Sequence, residues 1–271
     1  MVAPFAHSHQ PQHLLKDVEE SSIDKSDILG LCHGNILALR IRAFAPLAAT
    51  QRAQERIHSH EARGALGHAT QFTRLGMAYS EVRSDHLRRL YHESALANIR
   101  RIRDIFSELA SPMDRLRNML DEIWPKGAHL LNIGNDKCFV GICRYLQPGI
   151  DLEPHIDNLH WTLPNHVDWK LQYQLSANVY LEVPPTGGEL ELWNFQPDPE
   201  TYGKLQGSRS YGISREALPL PNLTIRPAVG DLIIMNPRFI HAVRPTLEFD
   251  RITMSAFIGI RSLDDSLNYW S

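Results

Sequence analysis

His155, Asp157 and His241 are the residues whose types and spacing can hold a metal ion. The tripeptide His155-Ile156-Asp157 follows a segment that reads as a strand. In an extended chain, residues two apart point to the same face, so the imidazole and the carboxylate can reach one ion together. His241 stands 84 residues beyond Asp157, in NPRFIHAVRP behind the strand-like DLIIMN, and that separation is enough to cross the sheets and return. Two neutral imidazoles and one carboxylate on one side of iron leave the opposite positions open, as O₂ chemistry needs. Both imidazoles must be deprotonated at the ligating nitrogen, so acid releases the metal. A His-x-Asp tripeptide alone also fits a surface turn, since a chain with 14 histidines and 31 acids produces one by chance. His241 alone fits a histidine hydrogen-bonded at a strand end. It is the combination, with an arginine-led strand behind it, that points to a metal site.

Arg251 opens that strand, RITMSAF, ten residues past His241, and Arg251, Thr253 and Ser255 alternate onto one face. A guanidinium beside a hydroxyl suits a two-point grip on a carboxylate. The alternative is an ion pair with a core acid such as Asp231. Tyr145, in CRYLQPG, either offers a further hydroxyl to the same carboxylate or packs as an aromatic.

Strands must position these groups, and from Pro125 onward the sequence is nearly all short strands with Gly/Pro turns. FVGICRYL, YQLSANVYLEV, ELELWNF, LTIRPAV, DLIIMN and RITMSAFIGI are the clearest. Such a pattern suggests a double-sheet jelly roll or barrel over about residues 125–262, and the expected fold is α+β with a double-stranded β-helix (jelly roll, cupin-like) core there. A helical part, about 45–124, packs outside it. Pro46 starts one helix after the strand ILALRIRAF. Ser84 and Asp85 cap a long helix with Leu87, Leu90, Leu96, Ile99, Ile102 and Leu109 on one side. Ser111-Pro112 then opens another through Met113, Leu116, Leu120 and Ile123. Residues 61–83, with three glycines and no clear period, are expected to form a mobile lid. Residues 1–30 are polar and expected to be a loosely ordered arm, its His7, His9 and His13 a solvated tail. Residues 31–271 are then expected to form a single domain.

Composition narrows the function classes. The 271 residues carry a formal charge of −3, with 43% hydrophobic and 22% charged residues, as in ordinary globular proteins. A near-neutral chain has no electrostatic footprint for nucleic acid. No apolar run suggests a membrane span, and the N-terminus does not read as a secretory signal. Three cysteines, Cys32, Cys138 and Cys143, in no C-x-x-C spacing, argue against a disulfide framework and for a reducing cytoplasm. The implied partner is a small-molecule substrate; assembly into a homo-oligomer stays open.

The segments PHID, GDLIIMN and NPRFIHAVRPTLEFDRIT resemble those of the iron(II)/2-oxoglutarate-dependent dioxygenases over residues 125–262. GGELELWN after SANVYLEVP is most similar to bacterial hydroxylases of N-substituted (N-succinyl or N-acyl) L-amino acids and to their relatives, the carrier-independent halogenases. The resemblance implies Fe(II), 2-oxoglutarate and O₂. The cosubstrate chelates iron through its 1-carboxylate and 2-oxo group, its distal carboxylate meets Arg251 and Thr253, and hydroxylation of a C–H bond yields succinate and CO₂. Halogenases of this kind have a small residue where this chain has Asp157, so a hydroxylase is expected.

An anionic amino-acid derivative needs a cation away from the iron. Arg83 and Arg74 are candidates, although surface arginines are common at such positions. Asn158, Trp161 and Trp193 are placed to line the pocket, or, for the tryptophans, to pack as core. The competing readings are an oxygenase of a free amino acid or another small metabolite, and a non-catalytic cupin-like metal-binding module. Arg251 speaks against the second, because a structural metal needs no carboxylate anchor.

Overall fold

The computed structural model describes residues 11–66, 69–163, 167 and 170–271. Along the chain run β1 (His13–Val18), α1 (Lys25–Cys32), β2 (Ile36–Ile41), α2 (Leu47–Ile57), β3 (Gly64–Leu66), β4 (Ala69–Leu75), α3 (Asp85–Ile105) and α4 (Pro112–Ile123). Then come β5 (Ala128–Leu130), β6 (Asn132–Ile133), β7 (Asp136–Lys137), β8 (Ile142–Leu146), β9 (Leu152–His155), β10 (Tyr173–Glu182) and β11 (Leu190–Leu192). The last are α5 (Pro199–Gln206), β12 (Leu223–Ile225), β13 (Leu232–Met235), β14 (His241–Val243), β15 (Arg251–Ile260) and β16 (Leu267–Trp270).

The fold is α+β, built on two mainly antiparallel sheets. The larger follows the order β1-β2-β13-β10-β15-β8-β4-β3, with β16 and β5 extending it beside β15. The smaller is β12-β11-β14-β9. Leu37, Tyr180, Ile233 and Met235 of the larger sheet share one buried cluster with Leu190, Leu192, Ile225 and Val243 of the smaller, so the sheets face each other. On the other face of the larger sheet, Leu39, Val179, Met254 and Ile258 pack with Ile28 and Leu31 of α1, Ala53 and Ile57 of α2, Ile102 of α3 and Leu116 of α4. Strand β15 shows why one sheet serves two layers. Ile252, Met254, Ile258 and Ile260 join the helix-side core, each such burial contributing about 1.5–3 kcal/mol. The alternate residues Arg251, Thr253 and Ser255 turn to the space between the sheets.

The helices begin at the expected caps. Ser84 Oγ accepts the Leu87 N–H at the start of α3, and Ser111 caps α4 with Pro112 in its first turn. The buried row of α3 is Tyr91, Ala95, Ile99 and Ile102, whereas Leu90 and Leu96 are exposed. The apolar face is therefore rotated from the leucine-based expectation. Tyr91 fixes that rotation, its hydroxyl donating to the Ser271 carbonyl at 2.7 Å.

Two further expectations are corrected. The N-terminal arm is ordered well before residue 31: β1 adds to β2 in parallel, Arg40 grips Asp17 through two bonds of 2.6 and 2.9 Å, and Asp24 caps α1. His13 lies in β1, while His7 and His9 fall outside the described residues. Residues 61–83, expected as a mobile lid with no clear period, are not without regular structure: they supply β3 at the sheet edge and β4 beside it, with β4 paired to β8 at Thr73–Leu75. At least one glycine there is steric: Gly76 has φ +95°, and a Cβ would lie 2.7 Å from the Phe139 ring. Among the described residues no helix is long and apolar enough to cross a membrane.

Candidate active site

Strands β9 and β14 pair so that His155 and His241 stand opposite each other, their ring centroids 4.3 Å apart. Asp157 lies two residues beyond the end of β9, its backbone N–H bound to the Pro237 carbonyl at 2.8 Å. Its Oδ2 is 4.0 Å from His155 Nε2 and 3.6 Å from His241 Nε2. Each Nδ1 sits beside a backbone carbonyl two residues upstream, Glu153 O at 2.7 Å and Phe239 O at 3.0 Å. Those carbonyls hold the proton on Nδ1, so both Nε2 lone pairs point at the carboxylate side, as metal ligands require. Among the described residues no other group of three or more His, Cys, Asp or Glu side chains converges in this way.

The electrostatics suit a cation. Burial, then the neighbouring His241, pushes His155 down to about 4, which keeps it neutral near neutrality. Burial raises the Asp157 carboxyl, but contact with His241 and the charges of His155 and Arg144 more than reverse this, holding it well below the usual carboxylate range. Two imidazoles with an ionised carboxylate are the donor set that iron(II) takes on one face.

From this cluster a cavity of about 160 Å³ runs between the sheets to Arg251. Arg251 is 5% exposed, and no carboxylate lies within 4 Å of it among the described residues. Its Nη2 donates to the Tyr180 hydroxyl at 3.1 Å, its guanidinium lies 4.8 Å from the centre of that ring, and its Nε is buried without a partner. Asp231, the alternative partner, instead accepts the N–H groups of Ala43 and Ala228. A buried guanidinium left so incompletely satisfied has donors free to take a carboxylate. Thr253 lies beside it on the same face, paired across the sheet with Tyr180 and Arg144. The Gly187-Gly188 turn presses on Arg251: a Cβ at Gly188 would come within 3.2 Å of its Cδ.

Several expected residues stand elsewhere. Tyr145 pairs with Ile252, on the helix side of the sheet. Its hydroxyl donates to the Ile57 carbonyl at 2.7 Å and its ring lies under Arg63, so it does not offer a hydroxyl beside Arg251. Trp193 is core: its Nε1 donates to the Pro219 carbonyl at 2.7 Å and it packs with Tyr202 and Ile240. Arg74 reaches the cavity wall, but Glu81 holds it through two bonds of 3.0 Å. Arg83, Asn158 and Trp161 line a second, outer cavity of about 760 Å³; Asn158 caps a short helical turn there and Trp161 packs 5.4 Å from Tyr202. Sequence reasoning missed Tyr180 and Tyr211. Tyr211 comes from the loop after α5, and its ring lies 5.5 Å from His155. For Tyr180 the only signal was its parity in the YQLSANVYLEV strand, which does not say which face looks inward.

The family described as "Carrier-protein-independent halogenase WelO5" matches residues 12–271 of the chain. The chain is 30% identical over 146 residues to the L-isoleucine 3(1)-dioxygenase of Pantoea ananatis, covering 49% of this chain and 47% of that protein. It is 27% identical over 163 residues to the L-gamma-glutamyl-L-propargylglycine hydroxylase of Streptantibioticus cattleyicolor, covering 59% of each. The matches thus span about half to three-fifths of these relatives' lengths. In three dimensions the chain is similar to an N-substituted L-amino acid dioxygenase from Burkholderia ambifaria in complex with alpha-KG. The TM-score is 0.61 and the identity 15%, over 91% of this chain and 90% of that one, a likeness of fold.

Proposed function

The chain belongs to the family of the carrier-protein-independent halogenase WelO5, and from that membership we propose that it is an iron(II)/2-oxoglutarate-dependent dioxygenase that hydroxylates an unactivated C–H bond of an N-substituted L-amino acid. The observation that carries this reading is Arg251, a buried guanidinium without a carboxylate partner, at one end of a cavity whose other end is the His-Asp-His cluster. A metal module that does no chemistry has no use for such an anchor. The hydroxylase and dioxygenase names of the curated relatives support the same class.

In this reading the two facing sheets are a double-stranded β-helix and residues from β1 onward form one domain. His155, Asp157 and His241 hold iron, which when bound supplies O₂ activation coupled to conversion of 2-oxoglutarate to succinate and CO₂. Arg251, Tyr180 and Thr253 take the cosubstrate's distal carboxylate. Leu146, Leu190, Met235 and Val243 give the cavity apolar walls that exclude water. The free thiols of Cys32, Cys138 and Cys143, all buried, fit a reducing cytoplasm.

Asp157 selects hydroxylation over the halogenation named for the family. Its carboxylate fills the position that a halide needs, whereas the halogenases have a small residue there. The test is succinate formation by the iron-loaded protein with 2-oxoglutarate across free and N-acylated amino acids, followed by product mass spectrometry. Wild type is expected to give a hydroxylated product. Asp157→Gly is expected to lose most hydroxylation and, with excess chloride or azide, to yield product carrying that anion. Undiminished hydroxylation by the variant would falsify Asp157 as a ligand. Absence of both succinate formation and 2-oxoglutarate binding in wild type would leave the non-catalytic module.

A further inference from the structure

The inner and outer cavities meet at a throat. Ser80, Arg144, His155, Asp157, Tyr211 and Phe257 line both. Arg144 is the one permanent cation among them. It projects from β8 in register with Thr253, and therefore onto the cavity face. Its guanidinium lies 5.8 Å from the centre of the Phe257 ring, and among the described residues it has no carboxylate within 4 Å and no hydrogen-bond partner. Of the other arginines on the two cavities, Arg74 is held by Glu81 and Arg88 by Asp85, while Arg83 lines the outer cavity alone and does not reach the throat. Arg251 lines only the inner cavity.

Charge balance gives Arg144 a role. Iron(II) with Asp157, 2-oxoglutarate and Arg251 sums to zero formal charge. Arg144 is then left as a single uncompensated positive charge, in a position where burial works against it. A ligand arriving from the outer cavity meets it before reaching the iron. Beside it stands Tyr211, whose hydroxyl has no protein partner among the described residues. A guanidinium and a phenol at one throat form a two-donor site for a carboxylate. The outer cavity, with Leu159, Trp161 and Tyr202 on its walls, has room and apolar surface for the rest of the molecule.

Resting on the oxygenase reading above, we propose that Arg144 and the Tyr211 hydroxyl recognise the α-carboxylate of the prime substrate. The enzyme thereby selects N-substituted amino acids with a free acid over their esters. The recognised group places the side chain toward the iron and leaves the N-substituent in the outer cavity.

The test is calorimetric binding to the full-length protein loaded with manganese(II), first of 2-oxoglutarate and then of N-acetyl derivatives of L-alanine, L-leucine and L-phenylalanine with their methyl esters. Wild type is expected to bind at least one acid more than about tenfold tighter than its ester. Arg144→Met removes that preference, with ester and 2-oxoglutarate affinities within about threefold of wild type; Arg144→Lys restores part of it. Tyr211→Phe weakens acid binding about three- to tenfold and spares the ester, which keeps the idea testable if Arg144→Met does not fold. The proposal is overturned if wild type binds 2-oxoglutarate but none of the acids. It is equally overturned if acid and ester weaken alike, or if Arg144→Met weakens 2-oxoglutarate instead. A wild-type protein that binds no 2-oxoglutarate refutes the oxygenase reading itself, a different result from any of these.

Discussion

The two sheets that close on the site are built on opposite plans. The smaller holds the metal cluster on strands of three and four residues, and the β14–β9 ladder shifts register between His241 and Val243. Its precision comes from local contacts: carbonyls two residues upstream of each histidine, and the Pro237 carbonyl on Asp157. The larger holds the proposed carboxylate-binding groups, Arg251, Thr253 and Tyr180, on two ten-residue strands whose pairing runs without interruption from Tyr173–Ile260 to Tyr180–Thr253. There the geometry comes from cross-strand neighbours. The proposed metal ligands thus depend on short chain segments, and the proposed anchor depends on the whole ladder.

The largest effect should separate the sheets outright. His155→Ala and His241→Ala should each lose metal by more than the 10- to 100-fold that loss of a supporting hydrogen bond costs. Activity should go with it while the circular dichroism spectrum is kept. Metal analysis of the purified variants checks this, and full iron occupancy in either would move the ligand elsewhere.

On the other sheet, Arg251→Ala should leave metal content unchanged and raise the KM for 2-oxoglutarate. Removing one partner of a buried charge pair costs on the order of 2–5 kcal/mol, about 30-fold or more. The KM for the prime substrate should shift far less. An unchanged 2-oxoglutarate KM would place the anchor on another cation. Arg244 is a poor replacement, because it is held at 2.6 Å by the buried Glu191; Arg144 would be next.

A finer effect sharpens the contribution of the ladder. Tyr180→Phe removes the hydroxyl that accepts from Arg251 and keeps the ring beneath it. A hydrogen bond of this kind is worth about 0.5–1.5 kcal/mol, so the 2-oxoglutarate KM should rise about two- to tenfold with metal affinity untouched. No change would show that the ring face alone positions the guanidinium.

The amino-acid sequence by itself determined what depends on neighbours within one segment. The two-residue period of an extended chain put His155 and Asp157 together and Arg251 with Thr253 on one face. Ser84 and Ser111 announced the starts of α3 and α4 because a cap is satisfied within one turn. Other features were decided only when strands from distant parts of the chain were laid side by side. Alternation says that Tyr145 and Arg144 face opposite ways, but not which of them faces the cavity. The pairing of Tyr145 with Ile252 settles that, and sends its hydroxyl to Ile57. Tyr180 reaches Arg251 across a separation of 71 residues. Whether an arginine is available depends on the partner it finds in space: Glu81 neutralises Arg74, while Arg144 meets no carboxylate among the described residues. Even the order of residues 13–32 comes from a distant source, because β1 is an added edge strand that needs β2 already in place. Local periodicity fixes the parity of side chains along a strand. Register between strands fixes which parity meets the site, and register is a property of the assembled sheet.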